Sequence, residues 1–508
     1  MRRLSIQLTC ILALFPALGL GCAMKASEDY AYPDDSSHDG AVAMEKSYDG
    51  DDAAADMVGD EPVPSEGPGA VAPAPLAPMG EAEASVAADM GGAEGSGPIG
   101  TSSHKAKIAS SKGDKRTGGA RDRAPAEEAK IAVDDERSSR FDRNIQSGTL
   151  TAGSFDDNLN PWVFDKFVDQ ARAQPDLSPL ASAFATQRTV LRVQDAQGRP
   201  IGDAKVEIDG KQMMTRSDGR VVWVQGWDSD RQGRGKATIE HGNARATVRI
   251  NNQIEQLVTL KDAKGTLPDQ LDIALVIDAT GSMGDELEYL KVEIRDIAEA
   301  IDHHFPGVDQ RFALVVYRDN GDQYTTRVFD FTGDLDRFQK DLSAQSANGG
   351  GDYPEAMDAA MAAADKLSWR KGDTARVTFL VADAPPHANK VDDTLDAVDG
   401  LRSKGVAVYP VASSGVAGEA EFVMRAAAML TGAQYMFLTD DSGVGNPHAE
   451  PHIPCYTVEQ LAPLMVRAVR SELSGRRVEA EPQYSIRTVG KGQGGVCHKP
   501  RRTTKIAK

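Results

Sequence analysis

The chain has 508 residues, with 57 Lys and Arg against 76 Asp and Glu and a formal net charge of −19. Roughly 100–200 residues per domain allow two to four domains, and the acidic balance excludes a general nucleic-acid binder, which needs clustered Lys and Arg against phosphate. Aromatic residues, at 6%, are too few for a chain folded throughout, and four cysteines exclude a disulfide-dense scaffold.

Arg2 and Arg3 precede an apolar run from Leu4 to Leu20, broken by Ser5, Gln7, Thr9, Pro16 and Gly19. A positive start and a short apolar core form a secretory signal, and no apolar run in the chain is long enough to span a bilayer comfortably. The run ends Leu18-Gly19-Leu20-Gly21-Cys22-Ala23, which resembles a bacterial lipoprotein signal. That resemblance implies removal of the leader and a lipid on Cys22. Gly19 stands where the pattern prefers Leu, and ordinary cleavage after Ala23 is the alternative. Ala23 is not the Asp that retains such proteins at the inner membrane, so the resemblance places the chain in the cell envelope, with the outer membrane favoured. Periplasmic or secreted placement is the alternative.

Residues 23–100 hold 17 acids and 2 bases, and 101–150 hold 11 bases and 8 acids, including a basic run from Lys105 to Arg123. This stretch has few apolar side chains larger than Ala, so burial cannot offset ordering entropy. Residues 23–150 are expected to be a disordered linker. In 151–185, Trp162, Phe164, Phe167 and Val168 fall near helical spacing, which predicts a helical connecting segment that packs.

Between 186 and 262 the period becomes two. Val206 and Ile208 alternate with polar residues up to Asp209-Gly210; Ser217-Asp218-Gly219 precedes Val221 to Trp223; and Ala246, Val248 and Ile250 alternate again. Short alternating strands between Gly turns predict a small antiparallel β-sandwich. The arrangement resembles carboxypeptidase-regulatory or bacterial Ig-like modules, which implies a spacer or carrier.

From 268 to 475 the pattern is α/β. Ile273–Ile277 is a continuous apolar run, as for a strand buried on both faces. Leu287, Leu290, Ile294, Ile297 and Ile301 follow at helical spacing. Further buried runs are Phe312–Tyr317, Val377–Val381, Val406–Val411 and Tyr435–Leu438, with helices over 391–401 and 422–430, and Val328 to Phe331 reads as an edge strand. Strands alternating with helices predict a doubly wound, mostly parallel sheet, whose ligands bind at the carboxyl ends of the strands. Residues 476–508 form a tail.

Those carboxyl ends carry oxygen donors. The first strand runs into Asp278-Ala-Thr280-Gly-Ser282, a later loop carries Gly349-Gly-Gly-Asp352-Tyr-Pro-Glu355, and another strand ends in Asp383. Asp278, Thr280, Ser282, Asp352 and Asp383 thus converge on one rim. Hard divalent cations take such oxygen ligands and keep several waters; Mg²⁺ fits best, with Ca²⁺ or Mn²⁺ as alternatives. The segment resembles a von Willebrand factor type A domain, and Asp278-x-Thr280-x-Ser282 and Asp383 match that family's metal-ion-dependent adhesion site. The resemblance implies a binding protein, not an enzyme, whose cation engages an acidic group on a protein partner. The family often has a Thr in the second loop, and this chain has Asp352 there instead.

Arg318-Asp319-Asn320-Gly321-Asp322 lines the same rim or is a solvated turn, and His387 lies close to Asp383 in sequence. His448, Glu450, His452 and Cys455 suggest zinc, but Pro451 and Pro454 forbid the helix such a motif needs. With Cys10 lost in the leader and Cys22 lipidated, Cys455 and Cys497 remain and can form a disulfide in an exported chain; two free thiols are the alternative. The rival functions are a metal-independent assembly protein of the envelope and, less well supported, a metal-dependent hydrolase.

Overall fold

The computed structural model describes residues 148–499, apart from 176, 230–234, 252, 352, 445–447, 449 and 450. The expected signal segment with Cys22, the linker 23–150 up to residue 147, and Asp352 lie outside the described residues. The first strand is Thr151–Phe155 (β1), followed by helices Pro161–Ala171 (α1) and Ser178–Phe184 (α2). A small domain then takes Arg188–Gln194 (β2), Lys205–Ile208 (β3), Lys211–Met214 (β4), Arg220–Val224 (β5), Lys236–His241 (β6), Ala244–Arg249 (β7) and Glu255–Thr259 (β8). The α/β part runs Gln270–Asp278 (β9), Gly284–His304 (α3), Asp309–Tyr317 (β10), Thr326–Thr332 (β11), Leu335–Ser343 (α4), Met357–Asp365 (α5) and Thr374–Ala382 (β12). It continues with Val391–Arg402 (α6), Ala407–Ala412 (β13), Gly418–Thr431 (α7), Tyr435–Leu438 (β14), Tyr456–Gln460 (β15), Leu461–Ser474 (α8) and Ser485–Val489 (β16).

Nine strands form one sheet in the order β11-β10-β9-β12-β13-β14-β1-β15-β16. The five from β10 to β14 are mutually parallel, and the remaining pairs are antiparallel. The period of two along β9 sorts its side chains. Ile273, Leu275 and Ile277 enter a core with α3, α4 and α8, while Ala274 and Val276 face α1, α2, α5, α6 and α7. Each large side chain of the α3 stripe stabilises the fold by about 1.5–3 kcal/mol relative to exposure. Because β10 lies on one side of β9 and β12 on the other, the winding reverses at β9, and the loops diverge there to leave a crevice.

Three features differ from expectation. The segment 151–185 is not only helical: β1 inserts between β14 and β15. Its five residues, including Gly153 and Ser154, are too few and too weakly patterned to read as a strand alone. The tail also contributes, since β16 pairs with β15 at the sheet edge. In the small domain, a three-stranded sheet (β5-β2-β8) faces a four-stranded one (β4-β3-β6-β7) across Leu191, Val193, Val206, Ile208, Trp223 and Ile239. It is not purely antiparallel: β8 lies parallel to β2, because the chain changes sheet between β7 and β8.

Buried ion pairs fasten the sandwich to the α/β part. Arg216, in a sandwich turn, reaches Glu472 on α8 and the carbonyls of Thr431 and Gly432 at the end of α7. Glu472 also accepts from Ser217 Oγ at 3.0 Å and Tyr409 Oη at 2.7 Å. Arg402 of α6 binds Asp228 of the sandwich and Asp399, and Lys211 of β4 lies 2.5 Å from Asp399. Arg376 of β12 makes a bidentate pair with Asp203 at 2.8 and 3.2 Å. Cys455 and Cys497 form a disulfide that ties the tail to β15.

Arg216→Met is therefore expected to leave Glu472 and Asp218 buried beside an apolar group. The predicted loss is about 3–5 kcal/mol, read as a lower denaturant midpoint in equilibrium unfolding.

Candidate functional site

β9 ends in Asp278, whose side chain is fully buried. The chain then turns into a single helical turn, Gly281–Met283, that feeds α3. Within this turn the Thr280 amide and hydroxyl donate to Asp278 Oδ1 at 2.9 and 2.7 Å, and the Thr280 and Ser282 hydroxyls lie 3.3 Å apart. Asp383 follows β12, the parallel neighbour of β9, and is buried as well. Asp278, Thr280, Ser282 and Asp383 are thus brought together at the switch point. Asp352 lies outside the described residues, within a Gly349–Glu355 loop that is otherwise in place.

The loops of the rim are cross-bonded. Asn348 N donates to Ala279 O at 3.0 Å and Gly281 N to Gly349 O at 3.1 Å. Arg318 donates to Ala279 O at 3.1 Å and Ser346 O at 2.7 Å, so it is a strut of this rim. Asp322 Oδ2 accepts from Gly350 N at 2.9 Å, and His387 Nε2 meets Asp319 Oδ1 at 2.7 Å. Of the two readings of the 318–322 segment, the structure supports the rim. Tyr353 Oη accepts from Ala417 N at 2.8 Å and donates to Gly415 O at 3.1 Å, while its ring remains 44% exposed beside the site.

The electrostatics of the rim are unfavourable as they stand. Burial, then repulsion from Asp383, pushes the Asp278 carboxyl up to about 7. Burial raises Asp383 too, with the Ser282 hydroxyl partly offsetting it. Two acids that the sequence reading did not assign join them. Glu286, in the first turn of α3, accepts from Ser414 Oγ and is pushed up to about 7 by burial. Glu355 is pushed up to about 9 by burial and then by Asp278, Asp319 and Asp383. Asp278 Oδ2, Asp383 Oδ1, Glu286 Oε2 and Glu355 Oε2 are all buried without a hydrogen-bond partner. Glu355 lay within the motif that sequence marked for Asp352; Glu286 sat among surface-type acids of α3 and had no signal of its own.

Orphaned carboxylate oxygens beside two hydroxyls are a hard-oxygen donor set, and it fits a divalent cation. Among the described residues no three His, Cys, Asp or Glu side chains stand close enough to hold a metal by themselves. The set here is two carboxylates with two hydroxyls. The zinc suggestion falls away: Cys455 is in the disulfide, His452 Nδ1 meets Glu421 at 2.7 Å, and His448 Nδ1 meets Asp440 at 2.8 Å.

The doubly wound sheet carries the Asp278-x-Thr280-x-Ser282 turn over its switch point. Residues 272–443 match the family model of the von Willebrand factor A domain. A putative ariadne-like RING finger protein of Acanthamoeba polyphaga mimivirus is 29% identical over 33% of this chain and 18% of its own length. The alpha-protein kinase vwkA of Dictyostelium discoideum is 30% identical over 27% of this chain and 22% of its own length. The match thus spans about a fifth of each of these relatives. Among solved structures, BatB of Bacteroides thetaiotaomicron aligns at 17% identity over 28% of this chain and 66% of that chain, with a TM-score of 0.23. Proximal thread matrix protein 1 of the mussel byssus aligns at 14% identity over 32% and 43%, with a TM-score of 0.27.

The raised acids set a pH dependence. Their folded values exceed the unfolded ones near 4, so their contribution to stability is complete below about pH 4. It is lost as pH rises through about 7 for Asp278 and Glu286 and about 9 for Glu355. In chelator, the wild-type melting midpoint is expected to fall between pH 5.5 and 9 more steeply than that of Asp278→Asn, and millimolar Mg²⁺ is expected to flatten the wild-type curve.

Proposed function

We propose that the VWA domain is a cation-dependent protein-binding module, held in the cell envelope through Cys22 and a long tether, and not an enzyme. The observation that carries this reading is the set of buried carboxylate oxygens without partners at Asp278 and Asp383, beside the hydroxyls of Thr280 and Ser282. A divalent cation there neutralises the two acids, and Mg²⁺ keeps open positions for water or another oxygen. A carboxylate on the partner protein supplies that oxygen. The exposed Tyr353 ring stands beside the open side and offers apolar contact to the same partner. By its sequence position alone, Asp352 is proposed as a further ligand. The sandwich, fixed to the VWA domain by buried ion pairs, acts as its rigid carrier.

Calorimetric titration of the purified protein with Mg²⁺ tests the site. Wild type is expected to bind one ion, and Asp278→Ala is expected to lose binding. Envelope proteins captured by wild type are expected to be released by chelator and absent with Asp278→Ala. Equal capture with and without chelator would instead support metal-independent assembly.

A further inference from the structure

We propose that the cavity between the α8 face of the sheet and the hairpin over 492–497 is a second binding site, which takes a neutral, hydroxyl-rich ligand of sugar type. The inference stands apart from the cation reading, because this cavity lies at the β1, β15 and β16 part of the sheet and shares no residue with the rim.

The period of two along the strands sets its floor. Phe155 and Val458 enter the core with α1 and α7, so Ser154 and Thr457 belong to the other face, where α8 lies. Thr488 of β16 pairs with Thr457 and joins them. Three hydroxyls thus line a face that carries apolar side chains at β9 and β12. The cavity has a volume of about 280 Å³, near the lower end of ligand pockets, which run from roughly 300 to 1,000 Å³.

Its walls are held in place. Arg467 of α8 meets Glu459 at the buried end. The hairpin over 492–497 covers one side, and Asn160 holds it through the Gly495 carbonyl at 2.7 Å and the Cys497 amide at 2.8 Å. The Cys455–Cys497 disulfide adds a covalent tie. A side chain on Gly495 would collide with the Arg477 guanidinium, so glycine there lets Arg477 lie against the hairpin. Thr488 and Gln493 are exposed and mark the mouth.

The lining selects against a charged ligand. Both guanidiniums already face acids: Arg467 meets Glu459, and Arg477 meets Asp156 at 3.0 Å and Glu479 at 2.8 Å. Three carboxylates against two guanidiniums leave no positive excess for an anion. A cation would not answer Arg467 Nε, which has no hydrogen-bond partner in a residue only 7% exposed. That buried N–H needs an acceptor oxygen. A ligand hydroxyl accepts from it, and other hydroxyls of the same ligand donate to Glu479 and exchange hydrogen bonds with Thr457, Thr488 and Gln493. A sugar ring carries such hydroxyls at fixed spacing, so little ordering entropy is lost when it enters a preformed cavity.

The test is titration of the purified full chain, in chelator, with glucose, galactose, mannose and N-acetylglucosamine, followed by saturation-transfer NMR and calorimetry. Glucuronate and glucosamine are the charged counterparts. Arg467→Lys keeps a charge facing Glu459 and removes the Nε–H, and Thr457→Val removes one hydroxyl at constant shape. At least one neutral sugar is expected to bind more tightly than either charged one. Its Kd is expected to rise about 10–100-fold in Arg467→Lys and about 2–10-fold in Thr457→Val. No binding of any of the four neutral sugars at millimolar concentration would overturn the proposal. So would tighter binding of glucuronate or glucosamine, or an unchanged Kd in a folded Arg467→Lys. If Arg467→Lys does not fold, Thr488→Trp at the exposed mouth decides: its ring blocks entry, and an unchanged Kd there also overturns the proposal.

Discussion

A strand buried on both faces can present charge only near its ends, and β9 has a buried aspartate close to each. At its start, Asp272 is answered in full: Arg311 holds both carboxylate oxygens at 3.0 and 2.8 Å, and Arg370 adds its Nε at 2.8 Å. At its other end, Asp278 has an amide and a hydroxyl from Thr280 and one oxygen with no partner. The two positions differ in what surrounds them, not in burial. One end closes the sheet electrostatically; the other leaves negative charge unanswered at the crevice where the winding reverses. The rest of the rim adds to that imbalance, because Asp383, Glu286 and Glu355 are further buried acids beside it.

The loops that bear this charge are held by bonds that do not involve it. Arg318 ties the Asp278 loop to residue 346, Tyr353 ties the glycine loop to residues 415 and 417, and Glu355 is pinned through its backbone to Pro385. Preorganisation of this kind fixes the loop geometry in advance, so less ordering entropy would be lost by any ligand that binds there. Elsewhere, Arg216, Arg402 and Arg376 join the sandwich to the α/β part by bonds to side chains and to backbone carbonyls. Such pairs contribute more to a unique arrangement than to net stability, since desolvation offsets much of their attraction.

Much of the α/β layout was readable because its signals are long and periodic. Ile273–Ile277 and the α3 stripe from Leu287 to Ile301 each fill a whole element, and Asp278-x-Thr280-x-Ser282 sits at their junction. What escaped was set by tertiary contact. β1 gains its strand identity from β14 and β15, which lie almost three hundred positions downstream, and no local pattern encodes that pairing. The parallel β2–β8 pair depends on where the chain changes sheet. Glu286 and Glu355 became notable only when burial was known, because sequence does not distinguish a solvated glutamate from an orphaned one.

The insertion of β1 has a consequence for how the domain is bounded. Thr151 Oγ1 meets Thr439 Oγ1 at 2.8 Å across 288 positions, and the whole sandwich lies in the loop between them. The α/β unit is therefore discontinuous in sequence, with the sandwich as an insert near its start. A fragment beginning after the sandwich would lack the strand between β14 and β15 and leave two unpaired edges in the middle of the sheet, which invites aggregation. Residues expected to belong to a helical connecting segment are, in the folded chain, the strand that joins two parts of the sheet.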